Sequence, residues 1–287
     1  MKRKILIATT IYGDPRLGTV KYAYHQAVAR LVGNADLDFL ALPAGVQADI
    51  VRARSGIVRD ALAYSGGTAS GIFWLDEDVV APAEVLGSLL TKLLDSGHDY
   101  CGVPYPKKRL HWDRIIEWFR THDRPPTGAE LAAAAFDYTA TVMEQTEADK
   151  ARGDGTVELP VVGGFAKVDR LGLGFTYTSR ACLERLVGHY GSLATNRGHL
   201  GMDRSDLVEL RVAQSETPTY LERVGGEQRE TVALFQLLVR NRVLLTDDYS
   251  FCERWRAIGG EIHMWAGKSP LTHVGAFAYG ATEGMAR

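Results

Sequence analysis

The chain has 287 residues, 46% hydrophobic and 24% charged, with a formal net charge of −2. This composition supports a sizeable core in one large or two small domains. The balanced charge excludes a global field that would draw the chain to nucleic acid or to a membrane. Three cysteines, Cys101, Cys182 and Cys252, stand far apart without metal-type spacing and read as buried, reduced thiols of a cytoplasmic protein. No stretch reaches about 18 apolar residues, so no membrane span is expected.

The elements follow in chain order. "KILIATTIYG" (4–13) is rich in β-branched residues and stops at Gly-Asp-Pro, which predicts a strand and a loop rather than a leader peptide. "TVKYAYHQAVARLV" (19–32) has helical spacing and "ADLDFLALPAG" (35–45) reads as a second strand. "ADIVRARSGIVRDALAYS" (48–65) predicts an amphipathic helix with Ile50, Ile57, Val58 and Leu62 on one side. "SGIFWLDED" (70–78) is a third strand, "PAEVLGSLLTKLLDSG" (82–97) a helix with Pro82 at its start, and "DYCGVPYP" (99–106) a fourth strand. Strands alternating with helices argue for an α/β fold with a largely parallel sheet.

Residues 109–122 and 127–155 have helical patterns, and sheet signals return over 157–179 before a helix over 180–191. Residues 192–230 are polar and weakly periodic and read as a long, mobile excursion. "VLLTDDYSFCERWRAIGG" (243–260) is a strand end, an acidic pair and a helix; "EIHMWAGK" (261–268) is a strand, and "LTHVGAFAYG" (271–280) closes the pattern.

The chemistry begins where the apolar run Ile72-Phe73-Trp74-Leu75 meets Asp76-Glu77-Asp78. On an extended strand Asp76 and Asp78 point one way and Glu77 the other. In α/β sheets ligands gather beyond the carboxyl ends of strands. Two neighbouring carboxylates repel unless a cation or proton compensates them. Hard divalent ions take oxygen ligands and share them with substrate phosphates.

An apolar strand ending in Asp-x-Asp, a βαβ half before it, and acidic and His elements after it together resemble a GT-A-type glycosyltransferase, with motifs similar to the inverting family 2. The resemblance implies a Rossmann-like α/β fold with a mostly parallel central sheet flanked by helices. It implies one catalytic domain over 1–287, with a nucleotide-binding half (1–106), a helical insertion (about 110–150) and an acceptor and catalytic half (157–287). The implied activity moves a sugar from a nucleotide diphosphate sugar, UDP before GDP, to an acceptor hydroxyl with inversion.

The same resemblance assigns residues. "ATTIYG" would hold the nucleoside through Thr9, Ile11 and Tyr12, and Arg54 would reach toward the donor. Asp76, Asp78 and His273 would hold Mn²⁺ or Mg²⁺. Gly172 and Gly174 of "RLGLGFTYTS" would let backbone approach the donor or acceptor closely. In "LLTDDYS" Asp247 occupies the family's Glu position, a shortened departure, and Asp248 matches the base. Lys107, Lys108 and Arg109 would steer a phosphorylated acceptor or a nucleic-acid backbone, while Trp112 would stack on a sugar or base or pack in the core. The acceptor is left open among glycans, small molecules, proteins and modified DNA bases. Two alternatives stand beside this reading: a haloacid-dehalogenase-type Mg²⁺-dependent phosphatase with Asp76 as nucleophile, and a nucleotide-sugar-binding protein without turnover.

Overall fold

All four residues of Ile72-Phe73-Trp74-Leu75 are buried, because both faces of their strand are covered. The computed structural model describes residues 3–9, 37–43, 50–63, 69–142, 157–195, 219–224, 226–274 and 278–280. In chain order its elements begin β1 (Arg3–Thr9), β2 (Leu37–Pro43), α1 (Ile50–Ala63), β3 (Ala69–Leu75), β4 (Val79–Val80), α2 (Ala83–Asp95) and β5 (Tyr100–Gly102). Then come α3 (Trp112–Thr121), α4 (Gly128–Ala135), β6 (Ala140–Thr141), β7 (Val161–Val162), β8 (Phe165–Val168), β9 (Arg170–Leu171), β10 (Phe175–Ser179) and α5 (Arg180–Thr195). The last are β11 (Thr219–Val224), β12 (Glu227–Val232), β13 (Val239–Arg240), β14 (Val243–Leu244), α6 (Asp247–Ala257), β15 (Ile262–Trp265), β16 (Thr272–Val274) and β17 (Ala278–Gly280).

Eight strands form one sheet in the order β2-β1-β3-β10-β5-β15-β8-β7. β2, β1 and β3 are mutually parallel, β10 runs against both β3 and β5, β15 is parallel to β5, and β8 reverses against β15 and β7. Four of the seven pairings are therefore antiparallel, and the sheet is mixed rather than mostly parallel. The crossover helices α1 and α2 return strands in the same direction, whereas β7 and β8 are joined by Gly163-Gly164 alone, a turn that only an antiparallel pair can use.

Strand alternation sorts the apolar residues into two cores. Leu6, Ala8, Ile72 and Trp74 face one side and pack with Ile57, Val58 and Ala61 of α1, Leu183 and Leu186 of α5, and Phe251 and Trp255 of α6. Ile5, Ile7, Phe73 and Leu75 face the other and pack with Leu86, Leu89, Leu90, Leu93 and Leu94 of α2. The α2 residues recur at helical spacing on one stripe.

Three expectations change. The helix predicted over 127–155 stops at Ala135: Phe136 is extended, and Ala140–Thr141 pairs with β9 instead. Part of the supposed excursion over 192–230 is the antiparallel β11–β12 pair, while 196–218 lies outside the described residues, as does the predicted helix over 19–32. Trp112 does not pack in the core; it stands on an exposed helix.

Candidate functional site

The apolar strand β3 ends at Leu75, so the three acids that follow are not strand residues. The Val79 amide donates to the Asp76 carbonyl at 3.1 Å, closing a tight turn between β3 and β4. In a turn the strand alternation no longer applies, and Asp76, Glu77 and Asp78 all line one cleft of about 470 Å³. Arg54, Tyr105, Lys107, Lys108, Asp247, Asp248, Tyr249 and His273 complete most of its wall.

Arg54 reaches the cleft because it belongs to the buried stripe of α1. Arg54, Ile57, Val58 and Ala61 are spaced by three, four and seven residues, and all are buried. The Arg54 Nη2 group donates to Asp76 Oδ1 and Oδ2 at 3.0 and 3.1 Å, and Nη1 donates to Asp247 Oδ2 at 2.5 Å. One guanidinium thus clamps two carboxylates from different ends of the chain. Burial opposes its charge, yet Asp76, Asp247 and Asp248 outweigh burial and hold Arg54 firmly protonated. Asp76 is nonetheless pushed up, by burial first and by the Asp78 charge, against the pull of Arg54.

Thr246 begins α6 in extended conformation, and Asp247 and Asp248 occupy its first turn, where the helix terminus favours negative charge. Asp248 Oδ1 accepts from the Thr246 hydroxyl and, at 2.9 Å, from the Tyr249 amide. Burial, and then the neighbouring Asp247, raise the Asp248 carboxyl above its usual range.

His273 arrives through the sheet. β16 pairs with β4 so that His273 lies opposite Val79, and the Val274 amide donates to the Asp78 carbonyl at 2.7 Å. The His273 Nδ1 group lies 3.0 Å from the Pro106 carbonyl, which can only accept, so Nδ1 carries a proton. Nε2 then faces Asp78 Oδ1 at 3.5 Å. The other Asp78 oxygen meets Lys108. Burial pushes Asp78 up, but His273 and Lys108 more than offset it, and its carboxyl lies below the usual range.

Asp78 and His273 therefore meet as a pair, while Asp76 faces Arg54. Among the described residues no three His, Cys, Asp or Glu side chains gather as a metal-binding group. A Mg²⁺-type ion needs only one or two protein carboxylates when substrate phosphates supply the rest. The Asp78–His273 pair fits that requirement, with the His273 Nδ1–H held by a backbone carbonyl as in metal-ligating histidines generally. The wall also favours a cation: it carries five carboxylates against three cationic side chains.

The other sequence-picked residues fall in different places. The Thr9 hydroxyl donates to the Leu75 carbonyl and ties β1 to β3, outside the cleft wall. Ile11 and Tyr12 lie outside the described residues. Gly172 and Gly174 lie beneath Tyr105 rather than on the wall: a Cβ on Gly174 would sit 2.5 Å from the Tyr105 hydroxyl oxygen, and one on Gly172 2.8 Å from Thr139. Their backbone does make a close approach, but to Tyr105. The Gly174 amide donates to the Tyr105 hydroxyl oxygen at 2.9 Å, and the Tyr105 ring meets His273 edge-on at 5.1 Å.

Tyr105, Tyr249 and Glu77 are wall residues that sequence reasoning missed. Glu77 had a signal, its place between two acids after an apolar run. Tyr105 had only the paired glycines as a distant counterpart. Tyr249 stands next to Asp248 but reads as an ordinary helix residue. Its ring takes Lys107 at 5.7 Å and Arg170 at 5.8 Å, and burial raises its phenol to about 12.

No protein-family model matches the chain, and no curated protein matches it significantly. Among solved structures the chain is similar to the crystal structure of A197 from STIV, with 12% identity, a TM-score of 0.41, and 95% of this chain and 85% of that chain covered. It is also similar to the structure of a glycosyltransferase involved in the glycosylation of the major capsid of PBCV-1, with 12% identity, a TM-score of 0.31, and 64% and 63% covered.

Proposed function

We propose that the chain is a metal-assisted glycosyltransferase of the GT-A type, acting as one catalytic domain on a nucleotide diphosphate sugar, UDP before GDP, with inversion. One observation carries this reading: Arg54, Asp76, Asp78, Asp248 and His273, scattered along the sequence, line a single cleft. Its volume of about 470 Å³ lies within the roughly 300–1,000 Å³ usual for small-molecule sites. An excess of carboxylates on the wall disfavours a diphosphate alone and favours one accompanied by a dication.

In this reading Asp78 and His273 hold Mn²⁺ or Mg²⁺, which when bound supplies Lewis-acid stabilisation of the departing diphosphate. Arg54 fixes Asp76 and Asp247 and keeps the floor of the cleft from reorganising. Asp248, raised by burial and by Asp247, is a stronger base once deprotonated than an ordinary carboxylate. It takes the proton of the acceptor hydroxyl as that oxygen bonds to the anomeric carbon. The bond from that carbon to the diphosphate oxygen breaks on the opposite side, and the electron pair leaves with the nucleoside diphosphate. The phosphatase alternative asks Asp76 to attack phosphorus, but both Asp76 oxygens are engaged by Arg54, which lowers their nucleophilicity.

Thermal unfolding with UDP, GDP, CDP or ADP, each with Mn²⁺ and with EDTA, tests the reading. A ligand bound only by the folded state raises the midpoint by mass action. One nucleotide should stabilise the protein, and EDTA should remove the effect. No stabilisation by any of the four, with or without metal, contradicts the proposal.

A further inference from the structure

The cleft wall engages its cations unevenly. Arg54 holds Asp76 and Asp247, and Lys108 meets Asp78. Lys107 lines the same wall and has no carboxylate partner among the described residues. Its ammonium lies over the Tyr249 ring at 5.7 Å, near the outer limit of about 6 Å for an attractive contact of that kind. Arg54 cannot turn to an incoming anion without stripping two carboxylates of their cation, nor Lys108 without releasing Asp78. Lys107 can, because it gives up only a weak ring contact.

The backbone fixes where Lys107 starts. Its amide donates to the Asp137 carbonyl at 2.7 Å, and the Asp137 carboxylate is held by His111 at 2.8 Å and Arg114 at 3.0 Å. On the preceding side the Thr139 amide donates to the Tyr105 carbonyl at 3.0 Å, and the Tyr105 amide to the Thr139 hydroxyl oxygen at 3.2 Å. Both sequence neighbours of Lys107 touch the Asp78–His273 pair: the Pro106 carbonyl accepts from His273 Nδ1, and Lys108 meets Asp78. Tyr249, whose ring faces the Lys107 ammonium, donates its amide to Asp248 Oδ1 at 2.9 Å. Lys107 thus links the Asp78–His273 side of the cleft to the Asp248 side.

We propose that Lys107 is a further catalytic residue, the cation that meets the diphosphate as it departs; this rests on the transferase reading above. The flexible side chain swings from the Tyr249 ring onto the diphosphate while its backbone stays in place. As the bond from the anomeric carbon to the diphosphate oxygen breaks, the electron pair stays on that oxygen. Lys107 Nζ donates hydrogen bonds to the oxygens that gain charge, and no proton is transferred. Such charge-assisted bonds strengthen as the charge develops. A diphosphate that shares a dication with Asp78 and His273 lies beside the segment that carries Lys107, so Lys107 serves the donor rather than a phosphorylated acceptor.

Calorimetric titration tests it, with inorganic pyrophosphate and with UDP, GDP, CDP and ADP, each in the presence of Mn²⁺. These probes carry the charge that the leaving group has once the bond is broken. Whichever of them the unmodified chain binds, Lys107→Met should bind at least about tenfold more weakly. Lys107→Arg keeps the charge and should recover most of that loss. Arg109→Met removes the same charge from an exposed residue off the wall, and should weaken binding by less than about threefold. The unfolding midpoint of Lys107→Met should stay near that of the unmodified chain, so that lost binding is not lost folding. Equal affinity in Lys107→Met and the unmodified chain, or an equal loss in Arg109→Met, overturns the proposal and leaves the transferase reading standing. Failure of the unmodified chain to bind any of the five probes overturns both.

Discussion

The two halves of the cleft handle charge in opposite ways. On one side the buried Arg54 holds two partly exposed carboxylates, Asp76 and Asp247, in one clamp. On the other, Asp78 meets the partly exposed Lys108 and a His273 nitrogen 3.5 Å away. A buried clamp cannot give up a partner without leaving an uncompensated charge in low dielectric. An exposed lysine can leave its carboxylate for water and be replaced by another cation at little cost. The difference separates the tasks: the Arg54 side is a fixed floor, and the Asp78–His273 side is where a dication and its phosphates can be exchanged.

Substitutions can break that contrast. Arg54→Met should have the largest effect, destabilising the fold by about 3–5 kcal/mol in urea unfolding, because two carboxylates lose their shared cation. A loss below about 1 kcal/mol, typical of a surface pair, would show the clamp to be no different from the open side.

Asp248→Asn acts on rate rather than folding. Sugar transfer should fall by roughly 10²–10⁴-fold while metal-dependent nucleotide stabilisation persists. Stability should move the other way. The folded pKa of Asp248 is raised, so its contribution favours folding at low pH and is lost as pH rises through that value. Asn removes the buried charge, so the variant should be more stable than the unmodified chain at neutral pH. Melting curves across pH should show that advantage shrinking as acid protonates Asp248. Full transfer activity in the variant would remove Asp248 from the chemistry.

Gly174→Ala sharpens the account of His273. A Cβ there meets the Tyr105 hydroxyl oxygen at 2.5 Å and also meets Val79, so the ring must shift away. The expected cost is about 1–3 kcal/mol of stability, with weaker metal dependence because the ring that backs His273 has moved. Lys108→Met should be the mildest change, at no more than about 1 kcal/mol in the same unfolding measurement.

Much of the buried architecture was legible from residue pattern. The unbroken apolar run of β3 already required two covered faces, and the alternation of Phe73 and Leu75 with Ile72 and Trp74 assigns each face. Arg54 was picked only through the family resemblance, because a helix charge ordinarily reads as solvated; the fold shows that it belongs to the buried stripe of α1. Other features were hidden for physical reasons. The strand period ends at Leu75 and the acids lie in the turn that follows, so Glu77 joined the wall instead of facing away. The reversed β10 could not be read locally, because pairing between β3 and β5 is decided by distant contacts. Gly172 and Gly174 announced a close approach, but only the fold shows that what approaches is Tyr105.

The most direct measurement is a titration of Mn²⁺ by electron paramagnetic resonance, with the stabilising nucleoside diphosphate present, on the unmodified chain and on His273→Ala. The account predicts tight Mn²⁺ binding by the unmodified chain and binding weaker by at least about tenfold in the variant, since an anchoring nitrogen beside Asp78 has gone. Equal Mn²⁺ affinity in the two proteins would contradict the assignment of the Asp78–His273 side as the metal-holding half of the cleft.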